Sequence, residues 1–182
     1  MYGLINEAMR RHVVENAGPA AWSAIAARAE TGQTFAALHY YDDSITYALV
    51  GAASEVLDAP ADELLRGFGH FWSTRVGPES YSDILGATGT DVVGVLRNLD
   101  EMHARLQSLY PDLRPPSFDV VEAEPHRLEV HYRSEREGLV PFVVGLLEGL
   151  GDLYGTPATV THDPVASGGV LHEVFHVVLA EA

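Results

Sequence analysis

The sequence predicts an α+β fold: a mostly helical N-terminal part, then a four-stranded antiparallel sheet combined with helices. Three observations predict it. Up to Pro111 the apolar residues recur with a helical period of 3.6. After Arg114-Pro115-Pro116 the pattern switches to period 2. Between two pairs of strands it returns to helical spacing over Leu139–Tyr154.

Leu4, Ile5, Ala8, Met9 and His12 share one face of a first helix. Gly18-Pro19 ends it and opens the next, Ala20–Ala29. Asp42-Asp43-Ser44 caps a third helix, Ser44–Leu57, because a carboxylate there accepts from the first free backbone N–H groups. Ala59-Pro60-Ala61 is a turn. Asp62–Thr74 reads as a helix with Leu64, Leu65, Phe68, Phe71 and Trp72 for burial, stopped by Gly77-Pro78. Ser80–Thr90 is a glycine-spaced connection with room for a short helix. Val92–Tyr110 reads as one helix with a stripe of Val92, Val95, Leu96, Leu99, Leu106 and Tyr110, ended by Pro111. Phe118–Ala123 and Leu128–Ser134 read as strands. In the second, Leu128, Val130 and Tyr132 take one face and Glu129, His131 and Arg133 the other. Leu139–Tyr154 carries an apolar stripe with Gly145 and Gly149 close to it. Glycines there imply a close approach to something bulky, since each costs about 1 kcal/mol against Ala. Thr156–His162 and Val170–Leu179 read as the last strands, joined by the turn Asp163–Gly169.

At 182 residues the chain reads as a single domain, with a helical part over about 1–60 and the remainder over 61–182. No apolar run reaches the length of a membrane span, and the N-terminus has no signal-peptide core. The net charge of −15 argues against nucleic acid or an anionic membrane as partner. The absence of cysteine removes disulfides, iron–sulfur clusters, thiolate ligation and covalent haem attachment. It fits a reducing, cytoplasmic setting.

Two features carry chemistry. His103 continues the stripe of its helix, four residues after Leu99 and three before Leu106. A buried imidazole is either a core histidine bonded to a carbonyl or an axial ligand to a metal or haem. Tyr132-x-Ser134-x-Arg136 places a phenol, a hydroxyl and a guanidinium on one face if the strand stays extended. Such a trio suits carboxylates, because Arg binds them bidentately and the hydroxyls fill the remaining lone pairs. Alone it is also an ordinary strand end reaching solvent. Together the two features supply what a non-covalent haem needs: one axial ligand and donors for two propionates.

At these residues the chain resembles the H-NOX (haem nitric oxide/oxygen binding) domain family, which includes the haem domain of the soluble guanylate cyclase β-subunit. The likeness runs through MYGLIN, YDDSITYALVGAASEVL, FGHFW, NLDEMH, PPSF, HYRSEREGL and VGLLEGL. It implies a haem b held non-covalently between the helical part and the part bearing the sheet. His103 would be the iron's axial ligand, with Tyr132, Ser134 and Arg136 on the propionates. Ile5 and Leu146 would pack on the porphyrin, and Pro116 would press on it. Met9, Trp72 and Phe142 would line the distal gas pocket. On spacing alone Met9 and Leu146 are equally core residues.

The family's oxygen-binding members place a Tyr at a position that matches Phe142 or, with one residue of slack, Pro141, and neither has a hydroxyl to donate. The resemblance therefore implies a sensor of nitric oxide and CO with little affinity for dioxygen, not an enzyme. NO would weaken or break the Fe–His103 bond. An oxygen sensor, with Trp72 as donor, is the alternative. The chain ends six residues past His176, which implies a separate signalling partner, in bacteria commonly a histidine kinase or diguanylate cyclase.

His172-Glu173-x-x-His176 matches the zinc-protease pattern H-E-x-x-H. The segment reads as strand, on which four residues span roughly 13 Å, too far for two ligands of one zinc. His172 and His176 are then positions on the more exposed strand face. A haem peroxidase would need a distal acid–base group, for which His70 is the only neighbour of Trp72 in sequence; a solvated helix position suits it better. A cofactor-free scaffold leaves His103 and the trio unexplained.

Overall fold

A computed structural model describes residues 1–124, 126–165 and 171–180. The chain forms two compact units, Met1–Phe68 and Gly69–Ala182. The division falls inside a helix, beyond the expected step at 60/61.

In the first unit, α1 (Gly3–Arg28) and α2 (Asp43–Leu57) pack together. The two expected N-terminal helices form one element kinked at Gly18, whose φ of 85° and ψ of 165° suit glycine. Pro19 follows, where its missing N–H costs nothing. Asp42 caps α2 by accepting from the Ser44 N–H at 2.9 Å. The Thr46 hydroxyl donates to Asn6 Oδ1 at 2.7 Å, a buried polar tie between the two helices. Met9, Val13, Trp22, Ile25 and Leu49 are buried here.

The second unit begins within α3 (Ala61–Phe71). A π-helical turn, Trp72–Val76, follows, then α4 (Gly77–Ser80), α5 (Ser82–Thr88), α6 (Val92–Arg97) and α7 (Leu99–Leu109). The strands are β1 (Ser117–Glu124), β2 (Arg127–Ser134), β3 (Ala158–Pro164) and β4 (Leu171–Leu179), with α8 (Val140–Leu153) between β2 and β3. The sheet is antiparallel throughout, in the order β1-β2-β4-β3. Its inner face, including Leu128, Val130 and Phe175, packs on Val95 and Leu96 of α6 and Val143 and Leu147 of α8. The alternation expected for β2 holds, with Leu128, Val130, Tyr132 and Ser134 all buried.

Three expectations are corrected. Gly77-Pro78 does not stop the chain's helical course: Pro78 lies in the first turn of α4, where proline is tolerated. The helix expected over Val92–Tyr110 is two helices parted at Asn98, whose side-chain amide donates to the Thr88 carbonyl at 2.8 Å. In the expected turn Asp163–Gly169, Asp163 and Pro164 belong to β3; residues 166–170, with Val170 of the expected last strand, lie outside the described residues.

The close approach expected at Gly149 is to the segment His70–Ser73. A Cβ there would meet the His70 carbonyl and Ser73 Cβ, each at 2.9 Å. At Gly69 it would run into the Phe142 carbonyl. These two glycines let α8 lie directly against the segment that carries Trp72. Among the described residues, no helix is long and apolar enough to cross a membrane.

Candidate functional site

His103 sits in mid-α7. Its Nδ1 is buried and has no hydrogen-bond partner. Burial pushes the ring's pKa below the ordinary 6.5; the Asp100 carboxylate and the Pro116 carbonyl pull weakly the other way. The ring is therefore neutral at pH 7, the state in which imidazole ligates a metal. Asp100, one turn earlier, accepts the backbone N–H of Phe118 at 2.7 Å and so ties α7 to β1. The Phe118 ring lies between, its centroid 6.1 Å from that of His103 and 5.4 Å from that of Tyr132.

Tyr132 and Ser134 face the core from β2, exposed by 2% and 6%. Arg136 does not continue their face as an extended strand would require, because β2 ends at Ser134. The link is made another way. The Arg136 backbone N–H donates to Ser134 Oγ at 3.0 Å, and its Nη1 donates to the Arg114 carbonyl at 2.6 Å. A cleft of about 560 Å³ opens within this unit, with His103, Arg114, Pro116 and Ser134 among its walls.

The other expected residues fall into two places. Trp72, at the start of the π-helical turn, stacks on Tyr81 with centroids 6.2 Å apart and planes inclined 19°. The neighbouring Ser73 hydroxyl donates to the Leu146 carbonyl at 2.9 Å, which joins that turn to the α8 segment bearing Phe142 and Leu146. Ile5 and Met9 belong to the first unit, one turn apart on α1.

The donor set fits a haem. An imidazole nitrogen held buried without a partner is costly unless something binds it. Ser134 and Arg136 are donors suited to carboxylates, and Ser134 shares a cleft with His103.

The residues of the H-E-x-x-H motif do not converge on one point. They lie on β4 and go to different partners: His162 Nδ1 is 3.0 Å from Glu173, and His176 Nε2 is 3.2 Å from Asp163. Among the described residues, no three His, Asp or Glu side chains converge on a common metal position. His70 pairs with Asp152 at 2.8 Å on a half-exposed surface, as a solvated position predicts. Sequence reasoning missed Asp100 and the Arg114 carbonyl. An acid one helical turn before His103 was a readable signal for the first; the second depends on chain folding alone.

Fold and site together fit a haem-binding sensor domain. The haem-NO-binding family matches residues 2–162, and the chain belongs to that family, the H-NOX domains. Soluble guanylate cyclase gcy-32 of Caenorhabditis elegans is 31% identical over 152 residues, which is 81% of this chain and 22% of the cyclase. Soluble guanylate cyclase gcy-34 of the same organism is 30% identical over 84% of this chain and 23% of its own length. The chain thus spans under a quarter of these curated relatives. The Fe(II) unliganded H-NOX protein of K. algicida superposes with a TM-score of 0.85 at 23% identity, covering 100% of this chain and 98% of that one. A structure described as giving insight into H-NOX activation reaches 0.89 at 17% identity, covering 100% and 97%. At these identities the likeness is one of fold.

Proposed function

We propose that this domain holds a haem b through His103 and senses nitric oxide, with CO as a second ligand and little binding of dioxygen. The observation that carries the reading is the buried, partnerless Nδ1 of a neutral His103. Tyr132, Ser134 and Arg136 would hold the two propionates, Leu146 and Pro116 would pack on the porphyrin, and Trp72 and Phe142 would line the gas-binding side. The haem supplies an iron that takes the diatomic ligand. Phe142 supports NO over dioxygen, since bound dioxygen needs a distal donor and a phenyl ring has none. NO binding would loosen the hold of His103 and free α7 to move. That motion is what a separate signalling protein reads, with a histidine kinase or diguanylate cyclase as the partner class. The lack of cysteine supports a reducing, cytoplasmic setting.

Absorption spectra of the reduced protein under argon, in air and with NO test this reading. The expected result is a five-coordinate ferrous spectrum, unchanged by air and shifted by NO to a five-coordinate nitrosyl form. Phe142→Tyr should create an oxy spectrum in air. A stable oxy spectrum in the unaltered protein overturns the NO reading in favour of an oxygen sensor with Trp72 as donor. Failure to take up haem at all returns His103 to the core.

A further inference from the structure

The outer face of the sheet carries histidines that the haem reading leaves unused. His131 on β2 and His172 on β4 lie diagonally across the β2–β4 ladder, where His131 opposes Val174 and His172 opposes Arg133. Their rings meet: His131 Nδ1 is 3.2 Å from His172 Nε2, with centroids 5.5 Å apart and planes inclined 41°. Both strands are central in the sheet and paired on each side, so the backbone beneath the rings is fixed.

We propose that His131 and His172 form a bidentate chelate for a divalent transition-metal ion, its remaining positions filled by water. The argument is metric. Imidazole nitrogens bind such an ion at about 2.0–2.1 Å, so two of them at tetrahedral or square angles stand about 2.9–3.4 Å apart. The observed 3.2 Å lies inside that range. Without metal the two nitrogens share one proton in an N–H···N bond. On binding, that proton moves to the donor ring's other nitrogen and both lone pairs face the ion.

Asp119 opposes His131 on β1, so the face is not wholly cationic. Among the described residues no third His, Asp or Glu completes the set. An open two-imidazole site takes Cu²⁺, Ni²⁺ or Zn²⁺ rather than Mg²⁺ or Ca²⁺. It is not the H-E-x-x-H motif: His176 turns instead to Asp163 at 3.2 Å and Glu129 at 3.9 Å.

Calorimetric titration of the full chain with NiCl₂ and with ZnCl₂ tests the site, independently of haem, whose content is matched across variants. The expected result is one saturable site. His131→Ala and His172→Ala should each weaken it by about ten-fold or more, and His176→Ala by less than about two-fold. Acidification through the ordinary imidazole range should abolish binding. In NMR spectra, substoichiometric Cu²⁺ should broaden the ring signals of His131 and His172 before those of His162 and His176. His172→Gln, which keeps a polar side chain at this half-buried position, guards against misfolding as the cause of loss. The proposal falls if no saturable binding occurs. It also falls if His176→Ala removes the binding while His131→Ala spares it, or if Cu²⁺ broadens other histidines first.

Discussion

The two elements that carry the candidate haem contacts in the second unit are held very differently. β2 is a central strand, and Leu128, Val130 and Tyr132 on it are buried almost completely. α7 buries no residue, although α6 just before it buries Val92, Val95 and Leu96. The break at Asn98 separates the anchored helix from the loose one. α7 is dressed for solvent, with an Arg105–Glu101 pair at i,i+4. It meets the sheet through the Asp100–Phe118 hydrogen bond, the ring contact of His103 with Phe118 and the partly buried Leu99. Elements with few buried contacts open at low free energy, and a ligand shifts an equilibrium only by its differential affinity for the two states. A fixed strand beside a less buried helix would make a workable two-state device if His103 is the ligand proposed above. Binding can be strong at the sheet while the response is confined to α7.

The largest expected effect separates these two roles. His103→Ala should remove the five-coordinate ferrous spectrum and weaken haem retention by more than about 100-fold, beyond the 10–100-fold typical of losing an outer partner of a metal ligand. Arg136→Ala should preserve that spectrum while haem is lost faster. Hydrogen bonds to charged groups contribute about 1.5–3 kcal/mol, or roughly 10–100-fold. Haem titration followed by transfer to an excess of a haem-scavenging protein measures both. If His103→Ala keeps the spectrum, the ligand assignment fails. If Arg136→Ala changes coordination rather than retention, the division of labour fails.

The next effect concerns the tie itself. Asp100→Ala leaves the Phe118 N–H without its acceptor, at a cost of about 1–3 kcal/mol. Hydrogen exchange should rise across α7 and stay unchanged in the β2 amides bonded to β4. Equal loss of protection in both would mean that α7 and the sheet open as one unit, and the contrast between them would disappear.

What the sequence made legible follows the same contrast. β2 was readable because period 2 reports burial directly, and Tyr132 and Ser134 landed on the inner face as the alternation requires. The stripe of α8 was readable from its helical period, and the contact at Gly149 from the cost of a glycine inside a helix. The break at Asn98 was not, since no Gly or Pro marks it and it depends on a bond to Thr88, ten residues away. The stripe through Leu99, His103 and Leu106 marks the inward face of α7 correctly, but those residues are only half-buried, because periodicity records which face is apolar and not how completely a neighbour covers it. Arg136 lies beside Ser134, but not by the extended-strand geometry that the spacing predicted. The chain leaves the strand and returns its own N–H to the Ser134 hydroxyl. His131 was placed on the right face, but its meeting with His172 depends on strand register, which a single sequence does not give.

The smallest expected effect is a pH dependence. His103 has a folded-state pKa below its unfolded value of 6.5, because burial disfavours the cation. Between the two values the unfolded chain binds the extra proton, so the contribution to stability is fully present above 6.5 and is lost as pH falls through the folded value. His12 and His172 are lowered as well, burial being the first cause in each, and act in the same direction. The haem-free protein should therefore lose urea stability as pH falls below 6.5. His103→Gln should show a shallower loss than the unaltered chain, and the difference between the two curves isolates the His103 contribution. Parallel curves would mean that the ring on α7 already protonates freely, so that α7 is more open without haem than its contact with Phe118 implies. That result would sharpen the contrast with β2, whose amide protection should be the same on either side of the transition until global unfolding begins.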